Sequence, residues 1–263
     1  MGEKQQIVPL TRPAFEEAVQ TARRLEESVC SILLGQENVV RRALSCLVSG
    51  GHLLLEDYPG TGKTTLAKAI AGSVKDVGFS RLQFTPDLMP SDVLGVSIYD
   101  QKAQEFRFMP GPVFTDILLA DEINRASPRT QSALLESMAE RQATVDGQRY
   151  DLDGLFFVVA TQNPVEFRGT YPLPEAQMDR FAMRLSLGYV TPEQEVEIVS
   201  AELAGPSIND IDACASRNEV IAFEQAARSI EVSEELKRYA IDLVAATRRQ
   251  PELSLGASPR ASI

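Results

Sequence analysis

The sequence predicts an α/β protein with a central parallel sheet flanked by helices, followed by a small all-helical unit. Three observations lead there. Residues 53–55, 117–120 and 155–160 are short apolar runs that each end in polar residues, as strands buried on both faces do. A glycine-rich turn at 60–62 joins the first run directly to a helix-like stretch, Leu66 to Ala71. From Thr191 onward, Pro192-Glu193-Gln194-Glu195 and the stripe after Ser233 read as helix starts and helices only. The expected division is an α/β core over 1–190 and a helical lid over 191–263.

Composition narrows the function classes. With 26 Lys and Arg against 37 Asp and Glu, the formal charge of −11 argues against tight nucleic-acid binding, which depends on clustered cations neutralising phosphates. No apolar run approaches the ~18 residues of a membrane span. Met1 to Gln6 lacks a basic region followed by an apolar core, so no secretory signal is visible and a cytoplasmic protein is the default expectation. Cys30, Cys46 and Cys214 are odd in number and far apart, which favours free thiols over a disulfide or metal set. His52 is the single histidine, so a histidine-rich metal site is implausible.

Taken in order, the chain opens with Thr11 as an N-cap, Pro13 in the first turn, and Phe15, Ala18, Val19, Ala22, Leu25 and Val29 at helical spacing. A second helix pattern follows Gly35-Gln36, with Val39, Val40, Ala43, Leu44, Leu47 and Val48 on one stripe. Such a lead-in can cover an adenine ring, which makes Gly35 and Gln36 candidate nucleotide contacts; core packing fits equally well. Next comes the strand, turn and helix around Pro59-Gly60-Thr61-Gly62-Lys63-Thr64-Thr65, the order a phosphate-binding loop needs. Gly60 and Gly62 let backbone N–H groups turn inward around phosphate oxygens at a helix N-terminus. Lys63 would reach the β- and γ-phosphates of ATP, and the Thr64 hydroxyl would ligate Mg²⁺. The usual pattern G-x-x-x-x-G-K-[ST] would place its first glycine at Asp57, so the strict motif is not met.

Ser80 to Thr85 reads as a strand, Pro86 to Gly95 as a proline-punctuated loop, and Phe106 to Phe114 as a connection. Ile117-Leu118-Leu119-Ala120-Asp121-Glu122 is an apolar strand ending in two carboxylates. In this setting Asp121 would hold Mg²⁺ and Glu122, facing the other way on the strand, would orient and deprotonate the attacking water. A helix from Gln131 to Arg141 and an Asp-Gly hairpin from Ala143 to Tyr150 follow. Leu155 to Thr161 is the most buried strand by composition, and Asn163 just past it is placed to touch the γ-phosphate or the water.

These stretches resemble the AAA+ ATPases, and within them the MoxR family. The resemblance is carried by Leu54 to Thr64, Gln83 to Asp87, Gly111 to Phe114, Leu119 to Ala126 and Ala160 to Pro164. It continues through Gly169 to Phe181 and Gly256 to Ala261. It implies a ring-forming ATPase, usually a hexamer, with ATP between neighbouring subunits. It also implies Asn163 as the sensor-1 residue, Arg180 as an arginine finger reaching the neighbour's γ-phosphate, and Arg260 as the sensor-2 residue of the lid. A chaperone-like activity on a protein client is implied too, with a von Willebrand factor A domain protein as the kind of partner. MoxR-like chains continue past the Gly-Ala-Ser-Pro-Arg stretch, whereas this sequence stops at Ile263, so the lid is expected to be incomplete. Inside it, Ser233 should cap a helix whose Leu236, Tyr239, Ala240, Leu243 and Val244 pack inward. Two other readings remain open: a nucleic-acid motor gripping polyanions with the 143–150 hairpin, and a nucleotide switch with little hydrolysis.

Overall fold

A computed structural model describes residues 11–165, 169–204, 211–253 and 255–262. The chain opens with α1 (Arg12–Cys30) and α2 (Glu37–Val48), then β1 (Leu53–Glu56), α3 (Lys63–Gly72), β2 (Val74–Lys75) and β3 (Phe79–Gln83). It continues with α4 (Pro90–Leu94), β4 (Gly95–Asp100), β5 (Glu105–Pro110), β6 (Ile117–Asp121) and, past a 3-10 turn at Ile123–Arg125, α5 (Pro128–Glu140). Then follow β7 (Gln142–Val145), β8 (Gln148–Asp151), β9 (Phe157–Gln162), α6 (Glu175–Met178) and β10 (Met183–Leu185). The C-terminal part holds α7 (Pro192–Ala204), β11 (Ala215–Ser216), α8 (Arg217–Arg228), α9 (Glu234–Thr247) and a 3-10 turn at Pro259–Ser262.

Five strands form the central sheet in the order β10-β1-β9-β6-β3, and each neighbouring pair is parallel. Alternation along each strand divides the core in two. Leu53, Leu55, Ile117, Leu119, Phe157 and Val159 face the layer of α1, α2 and α3, while Leu54, Leu118, Ala120, Val158 and Ala160 face Leu134, Leu135 and Met138 of α5. Both faces are therefore dry, which explains why these strands read as unbroken apolar runs. Local signals set the helix starts: Thr11 accepts the Ala14 N–H at the head of α1, Ser127 accepts the Thr130 N–H at α5, and Ser233 accepts the Leu236 N–H at α9.

Several expectations are corrected. The region expected as loop and connection between Pro86 and Phe114 contains α4 and an antiparallel β4–β5 hairpin with register Val96 to Met109 and Tyr99 to Phe106. Gly95 sits at φ +97°, and a Cβ there would lie 2.2 Å from the Met109 carbonyl oxygen, so the hairpin can close only on glycine. The expected hairpin at 143–150 is present as β7–β8, and the two hairpins meet where Phe108 stacks on Tyr150 with ring centroids 3.9 Å apart. Strand β10 is unforeseen because it is three residues long and carries Arg184 at its centre.

The C-terminal part also departs from expectation. Strand β11 pairs with β2, and Val220 and Ala215 enter the core cluster beside Leu25 and Leu44, so α8 packs on α1 and α2. Glu219 secures this by capping its own helix through Ser216 and pairing with Arg24 of α1 at 2.7 Å. Residues 211–228 thus contact the layer of α1 and α2. The apolar stripe of α9 does not pack inward: Leu236, Tyr239 and Leu243 are 59%, 62% and 52% exposed, Ala240 is exposed and Val244 half-buried. Periodicity defines an amphipathic face but not its cover, and the described element that α9 touches most is the 3-10 turn at 259–262.

His52 is a core residue. Its Nδ1 accepts the Val158 N–H at 3.1 Å and its Nε2 lies 3.3 Å from the Met138 carbonyl, so the neutral ring with its proton on Nε2 links β9 to α5. Burial drives its pKa down to about 4 against the opposing pull of the Met138 carbonyl. Because the folded value lies below the ordinary ~6.5, the unfolded chain takes up the extra proton between those limits and stability falls as pH falls. Urea denaturation should show His52 alone costing about 2 kcal/mol between pH 7 and pH 5, and His52→Gln should lose that share of the pH dependence.

Candidate nucleotide site

The polar residues expected from sequence gather at the carboxyl ends of the central strands, where open parallel sheets place their ligand sites. Gly60 and Gly62 have φ of +83° and +96°. Among the described residues nothing lies within 4 Å of a Cβ built on Gly60, so backbone conformation and not crowding calls for glycine there. Gly62 is the N-cap of α3 and no side chain caps that helix, which leaves the first-turn N–H groups of Lys63, Thr64 and Thr65 facing the loop. The Lys63 ammonium donates to the carbonyls of Asp57 and Tyr58, both at 2.6 Å, and the Thr61 hydroxyl donates to the Tyr58 carbonyl at 3.1 Å. Burial lowers the Lys63 pKa, opposed by the carboxylates of Asp57, Asp121 and Glu122.

Asp121 closes β6. Its carboxylate accepts from the Thr161 hydroxyl at 2.6 Å and pairs with Arg81 of β3 at 2.7 Å. Glu122 lies beyond the strand in the left-handed region, at φ +56°. The chain therefore kinks between the two carboxylates, in place of the strand alternation expected from sequence. The kink is held by the Glu122 N–H, which donates to the same Thr161 hydroxyl at 2.9 Å. One β9 hydroxyl thereby bridges the Asp121 side chain and the Glu122 backbone. The Glu122 carboxylate accepts from the Gln83 side-chain amide and pairs with Arg125 at 3.1 Å. On the other side, Glu56 accepts from Gln162 at 2.8 Å and pairs with Arg184 at 2.8 Å. Arg81, Gln83 and Thr161 were not singled out from sequence; polar residues near the strand ends mark Gln83 and Thr161, while Arg81 sits mid-strand in β3 with no such signal.

Asn163 is buried at 5% exposure one residue past β9, where its Oδ1 accepts the Val165 N–H at 3.1 Å and its carbonyl accepts from Asn124 at 3.5 Å. Arg180 is half-buried and donates to the Leu135 carbonyl at 2.7 Å, tying it to α5. The contact found for Arg260 is with Asp179, at 3.7 Å, so it lies beside Arg180 with its side chain 55% exposed. Gly35 has φ +73° and a Cβ on it would come within 2.5 Å of the Gln194 amide of α7, while Gln36 is 9% exposed at the head of α2. The lead-in thus faces the start of the C-terminal helices.

Asp57, the departure from the strict motif, is 4% exposed. Its Oδ1 accepts the Tyr58 N–H at 2.8 Å, and its Oδ2 accepts the Ser186 hydroxyl at 2.9 Å and the Gly188 N–H at 2.6 Å. Burial acts to raise its pKa, but the Gly188 and Tyr58 N–H groups, the Ser186 hydroxyl and Lys63 outweigh burial and hold the carboxyl below the usual range.

The donors suit a hard divalent cation carried on a polyphosphate. Among the described residues no group of three or more His, Cys, Asp or Glu forms a metal cage of its own. Mg²⁺ with nucleotide phosphates needs only one or two protein oxygens, which Thr64 and Asp121 can offer.

Comparison with known proteins agrees with this architecture. Residues 52–183 match the family model of the ATPase family associated with various cellular activities (AAA). The chain is 45% identical over 237 residues to YeaC of Bacillus subtilis, covering 90% of this chain and 74% of that protein. It is 42% identical over 259 residues to Chaperone MoxR1 of Mycobacterium tuberculosis, covering 93% and 67%. A crystal structure of a candidate ATPase from Cytophaga hutchinsonii superposes with a TM-score of 0.83 at 40% identity, covering 95% of this chain and 79% of that one. A phosphate-loop strand, a strand closed by paired carboxylates and relatives of this identity over nine-tenths of the sequence lead to one assignment: the chain belongs to the MoxR family of AAA+ ATPases.

Proposed function

We propose that this chain binds Mg·ATP at the 59–65 loop, hydrolyses it, and uses the cycle to remodel or activate a protein client in the cytoplasm. The observation that carries the reading is the Thr161 hydroxyl bridge, which fixes Asp121 and Glu122 to one strand tip beside the loop that holds Lys63. Loop N–H groups from Gly60 to Thr65 and the Lys63 ammonium would hold the phosphates, while Thr64 and Asp121 would hold Mg²⁺. The bound ion supplies charge neutralisation on the phosphates. Glu122, oriented by Gln83 and Arg125, is the base for the attacking water, and Asn163 positions that water or the γ-phosphate. Gly35 and Gln36 would flank the adenine ring. Support for a protein client comes from the relative named a chaperone. A von Willebrand factor A domain protein is the partner class to test first.

A nucleic-acid motor is less well supported. Arg149, the basic residue of the β7–β8 hairpin, is paired with Asp151 at 2.7 Å, and nearby Arg141 donates to the Gly154 carbonyl. Among the described residues no helix is long and apolar enough to cross a membrane.

We assign Arg180 to a neighbour's γ-phosphate in a homo-oligomeric ring, a hexamer by family precedent, with Arg260 of the lid on its own subunit's nucleotide. Neither role is visible in one chain: Arg180 is tethered to Leu135 and Arg260 to Asp179.

Two outcomes test the proposal. Lys63→Ala should abolish ATP binding measured by calorimetry, whereas Glu122→Gln should keep binding and lower kcat by about 10²- to 10⁴-fold, the range of a lost general base. Full turnover in Lys63→Ala would refute the site. Phosphate release per chain should also climb with protein concentration and drop by about 10³-fold or more in Arg180→Ala. A rate independent of concentration and untouched by that substitution would remove the shared site.

A further inference from the structure

The carboxylate at position 57 is more than a tolerated replacement for glycine. Residue 57 is not among those with positive φ, so the backbone itself does not call for glycine. What occupies the position instead is a buried charge with both oxygens engaged, and two of its three donors come from a segment far away in sequence. That segment, Ser186–Tyr189, leaves β10 and leads into α7.

The contact is wider than one carboxylate. Leu187 is buried at 7% exposure, and its Cδ2 lies 3.8 Å from where a Cβ on Gly62 would stand, so the segment crosses the second glycine of the phosphate loop. Tyr189 stacks on Tyr58 with ring centroids 5.9 Å apart and planes 20° from parallel. Between Leu187 and Tyr189 lies Gly188 at φ +69°, a conformation that lets the chain turn away from the sheet at the point where its N–H is held by Asp57. Beyond this point the side chains of α7 from Glu195 to Ser200 are exposed, and Gln194 lies against Gly35 at the root of the helix. On the loop side, Lys63 donates to the carbonyls of Asp57 and Tyr58, the same two residues that hold the segment.

We infer that Asp57 is a positioning residue that fastens the segment linking core and lid to the phosphate loop, so that the loop and the root of α7 move as one unit. The docking stands on the geometry alone. Its consequence for turnover rests on the ATP site proposed above: a phosphate group engaging Lys63 acts on a backbone already tied to Gly188, which gives the lid a direct mechanical connection to nucleotide occupancy.

Amide hydrogen exchange on the full chain tests this, with wild type, Asp57→Asn and Ser186→Ala compared with and without Mg·ADP. Asparagine keeps the shape but turns one acceptor oxygen into a donor. The expected result is at least tenfold faster exchange at residues 186–189 in Asp57→Asn, a smaller increase in Ser186→Ala, and unchanged exchange in β6 and β9. Steady-state kinetics should split accordingly, with KM for ATP within about threefold of wild type and kcat lowered tenfold or more. Wild-type exchange at 186–189 in both variants would overturn the proposal. So would a global rise in exchange in Ser186→Ala, which would make the contact a folding element and not a link. A wild type that fails to bind ADP would defeat the ATP reading, while the comparison without nucleotide would still decide the docking.

Discussion

A parallel sheet covered on both faces leaves its strands one outlet for polar chemistry, their ends. In this chain β1, β9 and β6 bury every residue up to their carboxyl-terminal tips, and there the sequence changes at once to Glu56, Gln162 and Asp121. The two-sided core and the candidate site are consequences of one constraint. Apolar alternation fills both layers, and the polar residues it excludes converge because the strands all run the same way.

Within that convergence, a small number of hydrogen bonds decide which group does what. The Thr161 hydroxyl is central, since it donates to the Asp121 carboxylate and accepts from the Glu122 backbone. A non-glycine residue in the left-handed region is costly unless its surroundings hold it there. Here that support comes from β9, the middle strand of the sheet. The kink sets Glu122 against Gln83 and Arg125, while Asp121 keeps Thr161 and Arg81.

Much of this was legible in the residues themselves. The strand, glycine turn and helix at 53–71, the apolar strand closed by Asp121-Glu122 and the Asp-Gly hairpin all announce themselves through local chemistry, and the sheet and hairpin are found there. What escaped was whatever depends on a partner distant in sequence. Arg81 and Thr161 gain meaning only once β3, β6 and β9 lie side by side. Strand β10 hid behind Arg184, whose charge is accounted for by Glu56 on the adjacent strand. The α9 stripe shows the converse case. Its period was readable, but a period says which side of a helix is apolar and nothing about what lies opposite. His52 likewise reads as a lone titratable group until Val158 and Met138 are seen to enclose it.

The backbone at position 57 carries a lesson about how such loops diversify. Because its φ is not positive, this is a place where the loop can change its side chain without disturbing the turn at Gly60 and Gly62. Sequence drift there is conformationally free, and a side chain long enough to leave the loop can recruit a neighbour. A pattern that insists on glycine at this position describes one solution among those the geometry allows, and it passes over chains in which the same spot has acquired a second task.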